Sequence, residues 1–271
     1  MSAEVKILVE GYTNADSIAE SGQEKTCATV SLIRDGDLTM VVDPGVLENQ
    51  QILIDALLRE GLGVDDVDVV CITHSHIDHY RNVGMFPNAK VLEFFGLWDK
   101  NTVSEWPEHF SPNIQVVATA GHNNTDITLF VTTEEGMVAV CGDVFWKENY
   151  PKDPKDDMFA SNPEELKKSR EMVLRMADWI IPGHGKMFEA KKSYIEKIAP
   201  KISNGKKNKK NIQTCRKCHR PMEQGDKCIC RPWLCFRCCE CDLSCDNCSC
   251  SHRRGHKKLK HKILGFLNKN V

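Results

Sequence analysis

The segment Val67-Asp-Val-Val-Cys-Ile-Thr73-His74-Ser-His76-Ile-Asp78-His79 constrains this chain more than any other. Its β-branched apolar run reads as a buried strand, and three imidazoles and a carboxylate crowd into the turn that follows. Imidazoles at alternate positions of a turn can converge on one Zn²⁺, while the carboxylate and the adjacent imidazole face a second ion nearby. Four ligands do not complete two sites, so more are expected downstream. Turn-like positions after apolar runs offer Gly121-His122, Gly142-Asp143 and Pro182-Gly183-His184-Gly185.

Around this motif, short apolar runs at Val5–Val9, Cys27–Ile33, Leu38–Val42, Val67–Thr73, Lys90–Phe94, Ile114–Ala118, Thr125–Val131 and Gly136–Cys141 predict strands. Gln51–Glu60 predicts a helix with Leu53, Ile54, Leu57 and Leu58 on one face. Asn162–Met176 predicts another, opening on a capping residue, a first-turn proline and two glutamates. Many strands interspersed with few helices imply a layered α/β domain rather than strict βαβ alternation. Residues 1–200 read as this domain, 201–214 as a basic polar linker, 215–252 as a cysteine-rich module and 253–271 as a basic terminal segment.

The ordered set of motifs resembles the metallo-β-lactamase superfamily, and the resemblance spans roughly residues 5–190. It implies an αββα sandwich of two sheets faced by helices. It also implies a ligand set: His74, His76 and His122 for a first metal, Asp78, His79 and His184 for a second, and Asp143 bridging the two. Shorter stretches, Asn82–Pro87, Gly142–Phe145 and Ala177–Gly185, are similar to the subfamily labelled metallo-β-lactamase domain-containing protein 1 and imply endoribonuclease activity. Arg81, where many relatives carry glycine, and Asn123-Asn124 after His122 depart from the pattern beside the metals.

The implied chemistry is hydrolysis by a metal-bound hydroxide, since Zn²⁺ lowers the pKa of water from 15.7 to about 7. Asp78 is expected to be the catalytic residue, orienting the nucleophile as well as ligating. A second-metal water is expected to protonate the leaving group, with His109 as a helper set against a surface role. Forty residues between Asp143 and His184 leave no room for an inserted nucleic-acid-processing domain of about 50 residues or more. Asp43-Pro44-Gly45 reads as a turn, with a support role beneath the metals as the alternative. Cys27, Cys71 and Cys141 read as packing residues. Trp98 and Trp106 stand between packing and lining a pocket, and the loops 98–110 and 123–126 are expected to select substrate.

The C-terminal segment differs in chemistry. Residues 1–200 hold 18 Lys+Arg against 33 Asp+Glu, whereas residues 201–271 hold 18 against 5, with 11 of the 14 cysteines. Cys215-x₂-Cys218 and Cys235-x₂-Cys238 have the spacing of a four-thiolate, ribbon-like zinc site. The remaining cysteines extend this to two or three structural ions beside the two catalytic ones. Lysine and arginine runs bracket the module, the footprint of a nucleic-acid binder with RNA foremost; the alternatives are a solvated charge run and, for the terminal segment, an anionic membrane or acidic partner. No apolar run reaches the 18–20 residues of a membrane span and no signal-peptide pattern opens the chain, so a cytoplasmic, intracellular protein is expected. Three functions compete: a dizinc ribonuclease, a β-lactam or glyoxalase II-like thioester hydrolase, and a nucleic-acid-binding zinc protein with a vestigial body.

Overall fold

The computed structural model describes residues 2–17, 22–107, 109–148, 153, 156–191 and 193–194, with the backbone of Gln213–Thr214 and Pro221–Met222 beyond them. The chain divides into two units, Met1–Ile202 and Ser203–Val271. In the second, Gln213–Thr214 pairs antiparallel with Pro221–Met222. Cys215, Cys218, Cys235 and Cys238 lie outside the described residues.

The first unit is built on two sheets. One runs β1 (Glu4–Val9), β4 (Val30–Asp35), β5 (Leu38–Val42), β6 (Val69–Cys71), β7 (Lys90–Glu93), β8 (Gly96–Asp99) and β9 (Thr102–Ser104) in spatial order. The other runs β10 (His109–Ser111), β11 (Ile114–Ala118), β12 (Ile127–Thr133), β13 (Gly136–Val140), β14 (Trp179–Ile181) and β15 (Phe188–Glu189). A short ribbon joins β2 (Tyr12–Thr13) to β3 (Thr26–Cys27).

Consecutive buried residues in β4 show that the first sheet is covered on both faces. Helix α1 (Gln51–Arg59) lays Leu53 and Leu57 on Val30, Leu32, Val41 and Val70. Side chains alternate along a strand, so Ile33, Met40, Val42 and Cys71 face the other way, and all are fully buried. Helix α3 (Pro163–Met176) covers the second sheet with Leu166, Val173 and Leu174. It is capped as its sequence predicts, Asn162 Oδ1 accepting from Glu165 N at 3.2 Å. The layers are helix, sheet, sheet, helix.

Two departures from the predicted strands bear on the site. The Cys27–Ile33 run breaks at Ala28-Thr29 because Thr29 serves the opposite sheet: its N–H donates to Gly183 O at 2.6 Å and its hydroxyl to Gly185 O at 3.0 Å. Thr125 and Asp126 belong to a turn instead of a strand, because Asp126 Oδ2 accepts from Asn123 N at 2.7 Å.

Strand direction then gathers the functional turns. β5, β6 and β7 run parallel, so the segments after β5 and β6 leave the first sheet at one edge. β13 and β14 also run parallel, with Val140 opposite Ile181, which sends Asp143 and His184 out of the second sheet side by side. Ligands of open α/β sheets gather at such carboxyl ends.

Candidate metal centre

All seven residues of the ligand set converge at this edge. His74, His76, His122 and Asp143 form one group and Asp78, His79 and His184 another, with the ligand-type atoms of each group within 4.8 Å of one another. Asp78 and His79 lie on the single turn α2 (Ile77–Tyr80). Asp143 stands between the groups. Its Oδ2 is 3.3 Å from His122 Nε2 and 3.9 Å from His74 Nε2, and its Oδ1 is 3.3 Å from His184 Nε2 and 3.4 Å from His79 Nε2.

The backbone allows this convergence only where side chains are missing. A Cβ on Gly183 would collide with Asp143 Oδ1, and one on Gly142, at φ +49°, would collide with the Thr73 hydroxyl. Glycine is thus required at both positions.

A second ring of polar groups sets which nitrogen each imidazole turns inward. His79 Nδ1 donates to Asp43 Oδ2 at 2.8 Å and His184 Nδ1 to the Cys27 carbonyl at 3.0 Å. The Thr73 hydroxyl donates to Asp43 Oδ2 at 2.7 Å and can therefore accept from His74 Nδ1 at 3.1 Å. This network assigns a proton to Nδ1 in all three rings, which leaves Nε2 as the nitrogen turned to the centre, a lone-pair donor to a metal once any proton it carries is displaced. Asp78 is oriented likewise, its Oδ2 accepting from the Thr26 hydroxyl at 2.8 Å.

Lone pairs directed at one another call for a cation. His76 Nδ1 lies 3.0 Å from both His74 Nε2 and His122 Nε2. His79 Nε2 and Asp143 Oδ1 are buried without a hydrogen-bond partner among the described residues. Ligands about 2.0–2.1 Å from a tetrahedral ion sit roughly 3.3 Å apart, close to these spacings. Imidazole and carboxylate without thiolate suit a divalent ion. These residues fit the metal ions that the fold implies.

Electrostatics agree. Burial works to raise the Asp143 carboxyl, but His184, His79 and His122 outweigh it and hold the group well below the usual carboxylate range. Burial pushes His74 well below the ordinary imidazole value, with His79 adding to the effect. His79 is opposed by burial yet raised by Asp43 and Asp143, and burial likewise opposes His122 and His184, which Asp143 raises. A fixed negative charge thus sits at the centre of five imidazoles.

The centre opens into a cleft of about 410 Å³ whose walls include Thr26, Ile77, Trp146 and Phe159. Trp146 and Phe159 pack with ring centroids 5.5 Å apart, and Trp146 meets His122 edge-on at 6.3 Å. These walls correct several expectations from the sequence. Among the described residues, neither the 98–110 loop nor 123–126 lines the cleft. Trp98 Nε1 donates to Glu93 Oε1 at 2.7 Å, and Trp106 is buried with Nε1 donating to Phe94 O at 3.0 Å. His109 is exposed on β10 and does not line the cleft, so it has no place as a helper. Asp43 is more than a turn residue, as its contacts with Thr73 and His79 show. Cys27, Cys71 and Cys141 are buried free thiols, and burial pushes Cys27 up to about 11. Thr26, Trp146, Phe159 and Asp157, described below, carried no motif that could have marked them.

Comparison with known proteins bears on the same residues. The metallo-beta-lactamase superfamily profile matches residues 28–95, from the break before β4 through the His74–His79 turn. Metallo-beta-lactamase domain-containing protein 1 of Xenopus laevis is 33% identical over 196 residues, covering 68% of this chain and 80% of the relative. The chain belongs to the metallo-β-lactamase superfamily. The like-named protein of Mus musculus is 33% identical over 176 residues, covering 62% of this chain and 67% of its own. A Thermotoga maritima crystal structure provisionally described as a metallo-beta-lactamase shares the fold at TM-score 0.57 and 22% identity, covering 70% of this chain and 100% of that one. As a metallo-β-lactamase superfamily member with a convergent His/Asp cluster, the chain is a metal-dependent hydrolase. Among the described residues, no helix is long and apolar enough to cross a membrane.

Proposed function

We propose that the chain is a dinuclear zinc hydrolase that cleaves RNA phosphodiester bonds. The observation that carries the two-ion part is the Asp143 carboxylate, with one oxygen turned toward each cluster. When bound, two zinc ions supply Lewis acidity toward the scissile group and hydroxide near neutral pH. His74, His76 and His122 would hold one ion and Asp78, His79 and His184 the other. The protein's own part is orientation. Asp43, Thr73 and the Cys27 carbonyl fix three rings, and the Thr26 hydroxyl holds Asp78. Trp146 and Phe159 form an apolar wall on one side of the cleft. RNA as substrate is supported by the resemblance to the domain-containing protein 1 subfamily and by 18 Lys+Arg against 5 Asp+Glu in residues 201–271.

A second reading has its own support. Among the described residues that line the cleft there is no lysine or arginine, and Glu24, Ile77, Trp146 and Phe159 stand around the metal ligands. Such walls suit the neutral acyl centre of a β-lactam or thioester better than a polyanionic backbone.

Zinc-loaded full-length protein and its Asp78→Asn variant, each given labelled RNA, single-stranded DNA and a chromogenic β-lactam, separate the readings. RNA cleavage lost in the variant is the expected result. Lactam turnover without RNA cleavage would establish the acyl reading in its place.

A further inference from the structure

Asp157 lies in none of the sequence motifs, yet it is buried between the metal cluster and the wall of the cleft. Its Oδ2 is 3.8 Å from His122 Nδ1 and 3.7 Å from Arg170 Nη2, and the Asp157 and Arg170 side chains are almost wholly inaccessible. Neither His122 Nδ1 nor Asp157 Oδ2 has a hydrogen-bond partner among the described residues. The carboxylate therefore faces the outer nitrogen of His122, with Asp126 adding to the negative charge around the ring. Unlike Asp43, which accepts from His79 Nδ1 at 2.8 Å, Asp157 stands 3.8 Å from its ring and makes no hydrogen bond to it in this arrangement.

The other oxygen of the same carboxylate does different work. Asp157 Oδ1 accepts from the Phe159 N–H at 3.0 Å, and Phe159 lines the cleft. Two backbone bonds hold the segment to the His122 turn: Ser161 N donates to His122 O and Asn162 N to Gly121 O, both at 2.9 Å. Arg170 anchors the far side, its Nε donating to Val144 O at 2.7 Å. One carboxylate thus faces a metal-ligand ring with one oxygen and accepts from the backbone of a wall residue with the other.

We propose that Asp157 is a positioning residue that links metal occupancy at the three-histidine position to the placement of the Phe159 wall. The proposal rests on the reading of that position as a metal site. A ring held at Nε2 by an ion turns Nδ1–H toward Asp157, and a carboxylate fixed by that contact holds the Phe159 amide in turn. Outer partners of metal-bound histidines typically contribute about 10- to 100-fold in metal affinity.

The test uses full-length protein, with zinc as the probe. Chelator competition on the unaltered chain comes first; failure to bind zinc would overturn the metal reading itself, and this proposal with it. Hydrogen exchange of the unaltered chain should then slow severalfold at the Phe159 amide when zinc is added, and equal exchange with and without zinc overturns the linkage. Asp157→Asn retains an oxygen for the Phe159 amide but loses the anion, so it should weaken one of the two zinc ions by about 10- to 100-fold. Asp157→Ala should in addition abolish the zinc effect on Phe159 exchange. Wild-type affinity for both ions in Asp157→Asn would overturn the proposal, and the exchange measurement decides it even where neither variant folds.

Discussion

Asp43 sits at the end of β5 in the left-handed region, φ 49°, and accepts from the Thr73 N–H, the Thr73 hydroxyl and His79 Nδ1. Aspartate tolerates that backbone better than most residues, and here the strained turn puts both carboxylate oxygens beneath the metal ligands. Asp43→Asn should weaken zinc binding by about 10- to 100-fold, read by chelator competition. Asp78→Asn should keep the circular dichroism of the parent and lose turnover on the order of 10²-fold or more; near-full activity would remove Asp78 from the mechanism. Protons compete with metal for the same nitrogens. Because His79, His122 and His184 are raised above the ordinary imidazole value in the metal-free protein, they hold protons up to higher pH and a metal must displace them. The gain in Tm on adding zinc should accordingly grow as pH rises from about 6 to 8, and a constant gain across that range would contradict the assignment. The seven cluster residues were legible in the sequence because their side chains are chemically distinctive and follow apolar runs. Asp43 was half-hidden by a tripeptide that also spells an ordinary turn, and Asp157 was hidden entirely, because its partners His122 and Arg170 meet it only in the folded chain.

At the scale of elements, the long apolar strands were legible, and the short or exposed ones, β8, β9, β10, β14 and β15, were not. β4, β5, β11 and β13 are apolar because they are covered on both faces or packed centrally, so hydrophobic pattern alone marks them. β8 is a partly exposed strand of mixed polarity, β9 beyond it is a fully exposed edge strand, and β14, only Trp179–Ile181, is too short to show a period. α3 was legible from its start signal. Its cap is an intact side-chain bond, so Asn162→Ala should lower stability by about 1 kcal/mol in urea denaturation while leaving zinc affinity unchanged. α1 depends on its buried face instead, and Leu57→Ala, at a fully buried position, should cost about 2–5 kcal/mol. An equal loss in both variants would mean that the packing of α1 on the first sheet is misjudged.

For the whole molecule, the near-neutral formal charge of −2 conceals an acidic catalytic unit and a basic, cysteine-rich segment. If RNA is the substrate, a chain ending at Pro200 should bind labelled RNA more weakly than the full chain and with a shallower dependence on salt, since counterion release scales with the number of cationic contacts. Binding that ignores the truncation would take the basic segment out of substrate capture. The fold and the metal cluster do not depend on that outcome. They stand on two sheets whose parallel strands bring seven ligand-type side chains to one edge around the Asp143 carboxylate. Anomalous diffraction at the zinc edge from crystals of the zinc-loaded protein tests this most directly. Two anomalous peaks are expected, one on each side of Asp143, the first among His74, His76 and His122 and the second among Asp78, His79 and His184; a map without zinc density at Asp143 would contradict the account.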